Sequence, residues 1–270
     1  MPQRVITPKV LREWPLPDPQ GGKESRGTVL VVGGSKFTPG AVLLAGVAAL
    51  RAGAGRLQLA VAEETTIALS IAVPEAKVVG LPGTGLAGEA DVIALGPGLD
   101  DIDETTTLMR EVLGEARPET AVVLDAYALG ALSKDAGLLP SPERAVLTPN
   151  MVEAEHLLGR SPGDDPAAAS VELAEKYGAV VSLYGHIAAP DGRRWVEESG
   201  DVGLGTSGSG DARAGIVAGL LARGADPAQA ACWAAYVHSV SGQRLTPRHG
   251  RTGFLARELV DEVAHTIATL

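Results

Sequence analysis

"TVLVVGGSKFTPGAVLLAGVAALRAGAGRLQLAVA" (28–62) contains one complete structural unit. The run 28–34 is apolar, rich in β-branched residues and closed by two glycines, the pattern of a buried strand. Residues 40–55 are small and apolar with a glycine-rich stop, as in a helix packed closely on both sides. At 56–62 the strand pattern returns. Two strands joined by a helix run parallel. Strands that are apolar at every position must be covered on both faces, so the sheet lies between two helical layers.

The alternation continues to the end of the chain. "ETTIALSIAVP" (64–74) reads as helix, and "AKVVG" (76–80) as strand. "DVIALGPGL" (91–99) reads as strand and tight turn; "TAVVLDA" (120–126) and "RAVLTPN" (144–150) are strands ending in a polar residue. "MVEAEHLLG" and "DPAAASVELAEKYG" read as helices, and "AVVSLYG" (179–185) as strand. "HIAAPDGRRWVEE" (186–198) forms a hairpin turning at Pro190–Gly192. Three helices close the chain, at 211–223, 227–242 and 252–268. No linker or repeat interrupts the order, which predicts a single domain over 1–270, with the Pro-rich residues 1–25 as a peripheral extension.

Composition narrows the function. The 270 residues are 45% hydrophobic and 21% charged, as in a soluble globular chain. A net charge of −10 argues against a non-specific nucleic-acid binder, which needs a basic face. It does not argue against a phosphorylated ligand, which backbone amides can hold locally. Cys232 is the single cysteine, so neither an intrachain disulfide nor a thiolate metal cluster can form. No apolar leader and no run of roughly 20 apolar residues is present, so the expected place is the cytoplasm, away from membranes.

In open α/β sheets, ligands bind beyond the carboxyl ends of the strands. Those ends hold Gly33–Gly34, Gly96–Gly98, Asp125, Thr148–Asn150 and Tyr184–Gly185. A second unusual stretch is "GLGTSGSGDARAG" (203–215). Its formal GxGxxG match follows a polar hairpin instead of opening a strand–helix unit, so it is no dinucleotide fingerprint. Neither a P-loop nor a completed GxSxG elbow occurs. Read as a helix start, "GSGD" leaves the amides of Ser209, Gly210 and Asp211 facing outward, where the helix dipole favours an anion. Asp211 then has two readings: a helix cap, or a base for a hydroxyl attacking a phosphoryl group. The five histidines show no metal-ligand spacing, and His238 reads as a packed core residue. His186 is the one near the glycine loop.

"VLVVGGSKFTPGAVLLAGVAALRAGAG", "DVIALGPGL", "VLDAYAL", "LTPNMVEAEHLLG" and "GLGTSGSGDARAGIVAGLLARGADPAQAA" occur in this order. Together they resemble the ADP/ATP-dependent (S)-NAD(P)H-hydrate dehydratases of the ribokinase-like superfamily, over about residues 25–245. The resemblance implies a ribokinase-like three-layer αβα sandwich with a mostly parallel central sheet. It implies phosphorylation of the hydroxyl on a hydrated nicotinamide ring, followed by loss of phosphate. The implied cosubstrate is ADP or ATP with Mg²⁺, and the implied assembly a homo-oligomer, dimer or tetramer. By position, Ala41, Gly98, Asn150 and Asp211 fall at the hydrated-nucleotide side, with Asp211 as the catalytic acid–base residue. Tyr184, Gly185, His186, Gly208, Ser209 and Gly210 fall at the adenine-nucleotide side, and Glu153 is a candidate Mg²⁺ contact through phosphate or water.

Three positions depart from the family pattern. Asn150–Met151–Val152–Glu153 stands where the family has His–Pro–Gly–Glu, and it spells the N-x-x-E of sugar kinases; a capping box explains it equally well. Tyr184 stands where a basic residue is usual. "DAYAL" keeps Asp125 and introduces Tyr127. These departures keep open two alternatives: a small-molecule kinase for a sugar or vitamin-precursor alcohol, and a non-catalytic nucleotide-binding paralogue.

Overall fold

The computed structural model describes residues 2–18 and 20–270. The strands are β1 (Arg4–Val5), β2 (Thr28–Val32), β3 (Arg56–Val61), β4 (Ala76–Gly80), β5 (Val92–Leu95), β6 (Ala121–Leu124), β7 (Ala145–Leu147), β8 (Val180–Leu183), β9 (His186–Ala188) and β10 (Arg194–Val196). The helices are α1 (Pro8–Glu13), α2 (Pro39–Ala52), α3 (Thr66–Ala72), α4 (Ile102–Glu115), α5 (Tyr127–Lys134), α6 (Met151–Leu158), α7 (Pro166–Tyr177), α8 (Ser209–Ala222), α9 (Pro227–His249) and α10 (Ala256–Ala268). The strands form one sheet in the order β1-β10-β9-β8-β7-β6-β5-β2-β3-β4. Only β9 runs against the rest. This is the three-layer, mostly parallel sandwich expected from the sequence. Among the described residues no helix is long and apolar enough to cross a membrane.

Residue alternation along the strands feeds two separate cores. In β2, Val29 and Val31 join the layer of α2, α8, α9 and α10, while Leu30 and Val32 join that of α4 to α7. β5 splits the same way, with Val92 and Ala94 on one face and Ile93 and Leu95 on the other. Near the amino terminus, β1 extends the sheet beside β10 and Leu11 of α1 is fully buried. Trp14 stacks on Trp195 with ring centroids 5.8 Å apart.

No helix is expected from the sequence at α4 or α5, yet both are well formed. The consecutive threonines of α4 fit because Thr105, Thr106 and Thr107 each donate a hydroxyl to the carbonyl four residues back. Asp101 caps the helix by accepting from the amides of Asp103 and Glu104. α9 also runs seven residues past its expected end at 242, through Pro247 to His249.

Chain order reverses at the sheet centre: β3 and β4 lie to one side of β2, and β5 to β8 to the other. A crevice opens outside such a switch point. Here Gly34 N–H donates to Pro97 O at 2.8 Å, and Ser35 N–H to Gly98 O at 2.7 Å. The loops after β2 and β5 are therefore tied together, with Ala41 at the start of α2 beneath Gly98.

α8 is buried almost everywhere: of its fourteen residues only Gly210, Asp211 and Arg213 reach the surface. It lies against α2 at backbone contact. A Cβ on Gly215 would fall 2.1 Å from Ala45 O, and one on Gly219 2.3 Å from Ala49 O. Gly215→Ala is thus an overpacking change and is expected to destabilise the fold by about 1–3 kcal/mol, read as a lower urea midpoint. In α4, a methyl on Gly114 meets nothing within 4 Å, so Gly114→Ala is expected to raise stability by up to about 1 kcal/mol in the same assay.

Candidate active site

α8 delivers its first turn to the carboxyl edge of the sheet without a cap. Its N-cap residue is Gly208, in the left-handed region at φ +85°, and no side chain bonds the helix start. The Ser209 amide is taken by Thr206 O at 3.2 Å. Among the described residues the amides of Gly210 and Asp211 have no acceptor, so the anion-facing pair is 210–211, one residue shorter than the sequence suggests. Asp211 is the third residue of the helix, not its cap. Its carboxylate makes no hydrogen bond to the described residues, and it is half-buried.

Two further carboxylates face it. Asp125, at the end of β6, is 6% exposed and accepts a hydrogen bond from Thr148 Oγ1 at 2.7 Å. Burial pushes its pKa up; the Arg213 guanidinium and the Thr148 bond pull the other way. Glu153 is also raised, mainly by burial. Asp211 goes furthest, pushed up to about 7 by burial and by the charges of Asp125 and Glu153. A carboxyl poised near neutrality, free of partners and beside bare helix amides, suits a proton acceptor for an attacking hydroxyl.

Asn150 and Glu153 are held by one another. Asn150 Oδ1 accepts from Glu153 N–H at 2.9 Å, and Glu153 Oε2 accepts from Asn150 N–H at 2.8 Å. This is a complete capping box on α6. One Glu153 oxygen is left over. Among the described residues no three His, Cys, Asp or Glu side chains converge to hold a metal ion by themselves.

Beside this cluster lies a cavity of about 670 Å³, a size suited to a nucleotide. Its walls include Asn150, Tyr184, Gly185, Glu197, Ser209, Gly210, Arg213 and His238. Tyr184 is 60% exposed and, with Ala126 beside Asp125, is one of two non-glycine residues with positive φ among those described. Both strained positions sit at strand ends around the carboxylates. The structure sets His186 apart: its ring bonds Gln3 at 3.0 Å on the β9 edge, and it does not line the cavity. Ala41 and Gly98 form the neighbouring crevice, where Thr38 Oγ1 donates to Gly98 O at 2.7 Å.

Two side chains in this region, Glu197 and Arg213, escaped the sequence reading; a third, His238, is the packed core residue the sequence suggests. His238 Nε2 lies 2.8 Å from Ser209 Oγ and 3.0 Å from Ser209 O. Burial and the nearby Arg213 hold its pKa down at about 3, so the ring is neutral and fixes the first residue of α8. Glu197 is a buried carboxylate that accepts from Ser199 N–H at 2.9 Å. Arg213 donates from Nη2 to Thr148 O at 2.8 Å. A signal for it was present: it is the one charged residue between Asp211 and Arg223 in an apolar helix.

Relatives carry the same arrangement of elements. The family model described as NAD(P)H-hydrate dehydratase matches residues 29–265. The chain is 42% identical to an ADP-dependent (S)-NAD(P)H-hydrate dehydratase of Xanthomonas campestris, over 96% of this chain and 94% of that protein. It is 35% identical to one of Neisseria meningitidis, over 88% and 83%. Among solved structures, the ADP/ATP-dependent NAD(P)H-hydrate dehydratase of Bacillus subtilis, co-crystallized with ATP/Mg²⁺, superposes with a TM-score of 0.85. That pair is 29% identical and covers 100% and 99% of the two chains. Sequence kinship and shared architecture thus run through every element that builds the carboxylate cluster, and the chain belongs to the NAD(P)H-hydrate dehydratase family.

Proposed function

We propose that this protein returns hydrated NAD(P)H to NAD(P)H, using an adenine nucleotide as phosphoryl donor and Asp211 as the base. The observation that carries the proposal is the unpaired Asp211 carboxyl, poised near pH 7 beside the bare amides of Gly210 and Asp211. The nucleotide occupies the cavity bounded by Tyr184, Gly185 and Gly210, and the hydrated ring sits in the crevice at Ala41 and Gly98. Asp211 takes the proton of the ring hydroxyl as its oxygen bonds to the terminal phosphorus and the nucleotide leaves one phosphoryl shorter. The free amides face the charge on that group. Phosphate then departs with the carbon–oxygen bonding pair, the ring nitrogen donates electrons to replace it, and loss of a proton from the adjacent carbon restores the double bond.

The carboxylates fit Mg²⁺ shared with a ligand. Buried Asp125 and half-buried Glu153 share a single cation, Arg213, they offer hard oxygens, and among the described residues too few groups converge for an all-protein cage. When bound, Mg²⁺ would screen the nucleotide's phosphates, with Glu153 and Asp125 on the protein side. The kinase alternative rests on the N-x-x-E run, and that run is accounted for by the capping box of α6.

Asp211→Asn is expected to lower kcat on hydrated NADH with Mg²⁺ and ADP or ATP by about 10²–10⁴-fold, followed by recovery of nicotinamide absorbance. Folding should be intact by circular dichroism; retention of most activity would remove Asp211 from its role. In the wild type, kcat/KM should rise with pH through about 7, because the carboxyl must be ionised to accept a proton. Stability should run the opposite way. The folded pKa lies above the unfolded one, so the native state holds more protons between about pH 4 and 7 and loses stability as pH rises across that window. Asp211→Asn should therefore be the more stable protein at pH 8, by thermal denaturation, with a flatter stability–pH curve.

A further inference from the structure

The cavity beside Asp211 is acidic for a place that receives phosphates. Glu197, Glu198 and Asp201 line it, Asp201 already paired with Arg251, while Tyr184 brings no charge and His238 is neutral. Arg213 is the one charged cation among its lining residues. It reaches the cavity from α8, two residues beyond Asp211, against the ends of β7 and β8. A guanidinium carries five N–H donors. In Arg213 one of these, on Nη2, bonds Thr148 O, and Nη1 bonds no acceptor among the described residues; Nε is also unpartnered there but buried from solvent. Asp125 and Glu153 attract the group without a hydrogen bond to it. A rigid fork with unused donors, facing a cavity otherwise short of positive charge, matches the oxygens of a phosphate.

We propose that Arg213 is the phosphate-binding cation of this site, meeting the nucleotide's phosphates from α8, within a turn of the bare amides of Gly210 and Asp211. The proposal rests on the reading above that the nucleotide occupies this cavity. The phosphate oxygens supply the acceptors that the chain itself withholds from the guanidinium. Charge on the phosphates, in turn, is met by a group that Asp125 and Glu153 keep in place. Arg213 thereby selects for the phosphorylated end of the nucleotide and not for its base.

Isothermal titration of ADP and of adenosine, each with Mg²⁺, into the wild type, Arg213→Met and Arg213→Lys tests this. Arg213→Met is expected to weaken ADP at least tenfold and adenosine less than twofold. Arg213→Lys should fall between, because it keeps the charge and loses the fork. Retained adenosine binding also shows that the variant is folded. Equal losses for both ligands, or an ADP affinity within twofold of wild type in Arg213→Met, would overturn the proposal and leave Arg213 as a neutraliser of Asp125 and Glu153. Turnover of hydrated NADH by the wild type separates the two levels. Turnover with an unchanged Arg213→Met affinity sinks this inference alone, whereas a wild type that binds no ADP and turns over no hydrate sinks the functional reading with it.

Discussion

The contact between α2 and α8 fixes the rest of the molecule's working parts. Gly215 and Gly219 let the backbone of α8 lie against the carbonyls of Ala45 and Ala49, with no side chain between. At such a distance neither helix can slide or turn without a clash. α2 starts at the loop tied to Gly98, and α8 starts at Asp211, so one close approach sets the distance between crevice and carboxylate. The same packing explains why α8 is apolar on all sides except its first turn: a helix buried all round has no solvent face to offer elsewhere.

Much of this was legible beforehand. Alternating apolar strands and small-residue helices specified the parallel sheet, since only a sheet covered on both sides uses strands like "TVLVV". Glycines at 33–34, 96–98 and 208–210 marked the edge at which the sequence places a ligand, and the fold brings these loops to the rim of the crevice and cavity. α4 and α5 were passed over although both bury one face; three consecutive β-branched threonines read against a helix in α4, and they are made compatible by bonds to their own backbone. The hairpin brought His186 near the glycine loop in sequence, and pairing in the sheet turned it toward Gln3 instead. Arg213 and Glu197 were missed because only the fold brings the first turn of α8 and the end of β10 to one cavity.

The electrostatics of the site follow from crowding like charges under partial burial. Burial raises all three carboxylates first; Asp125 then raises Glu153, both raise Asp211, and Arg213 lowers Asp125 and Glu153. The distribution is uneven for a physical reason. Asp125 has a hydroxyl donor and Glu153 a backbone amide, both of which favour the charged form. Asp211 has neither, so it absorbs the repulsion and titrates near neutrality. Its availability as a base is therefore a consequence of what its neighbours are bonded to.

That availability also depends on the helix start staying uncapped, and the fold enforces this. Serine, threonine, asparagine or aspartate at an N-cap would satisfy the free amides. Position 208 disfavours them. Its φ of +85° strains a side chain and departs from the extended conformation from which a capping oxygen reaches the amides, and a Cβ there would also push Leu44 Cδ1 of α2 aside. Glycine at this turn thus keeps the amides of α8 bare. What remains unsatisfied is a pair of N–H groups and a carboxylate, at the rim of a cavity of nucleotide size. Protein side chains do not complete that set, which leaves it open to water and, on the function proposed above, to the nucleotide's phosphates.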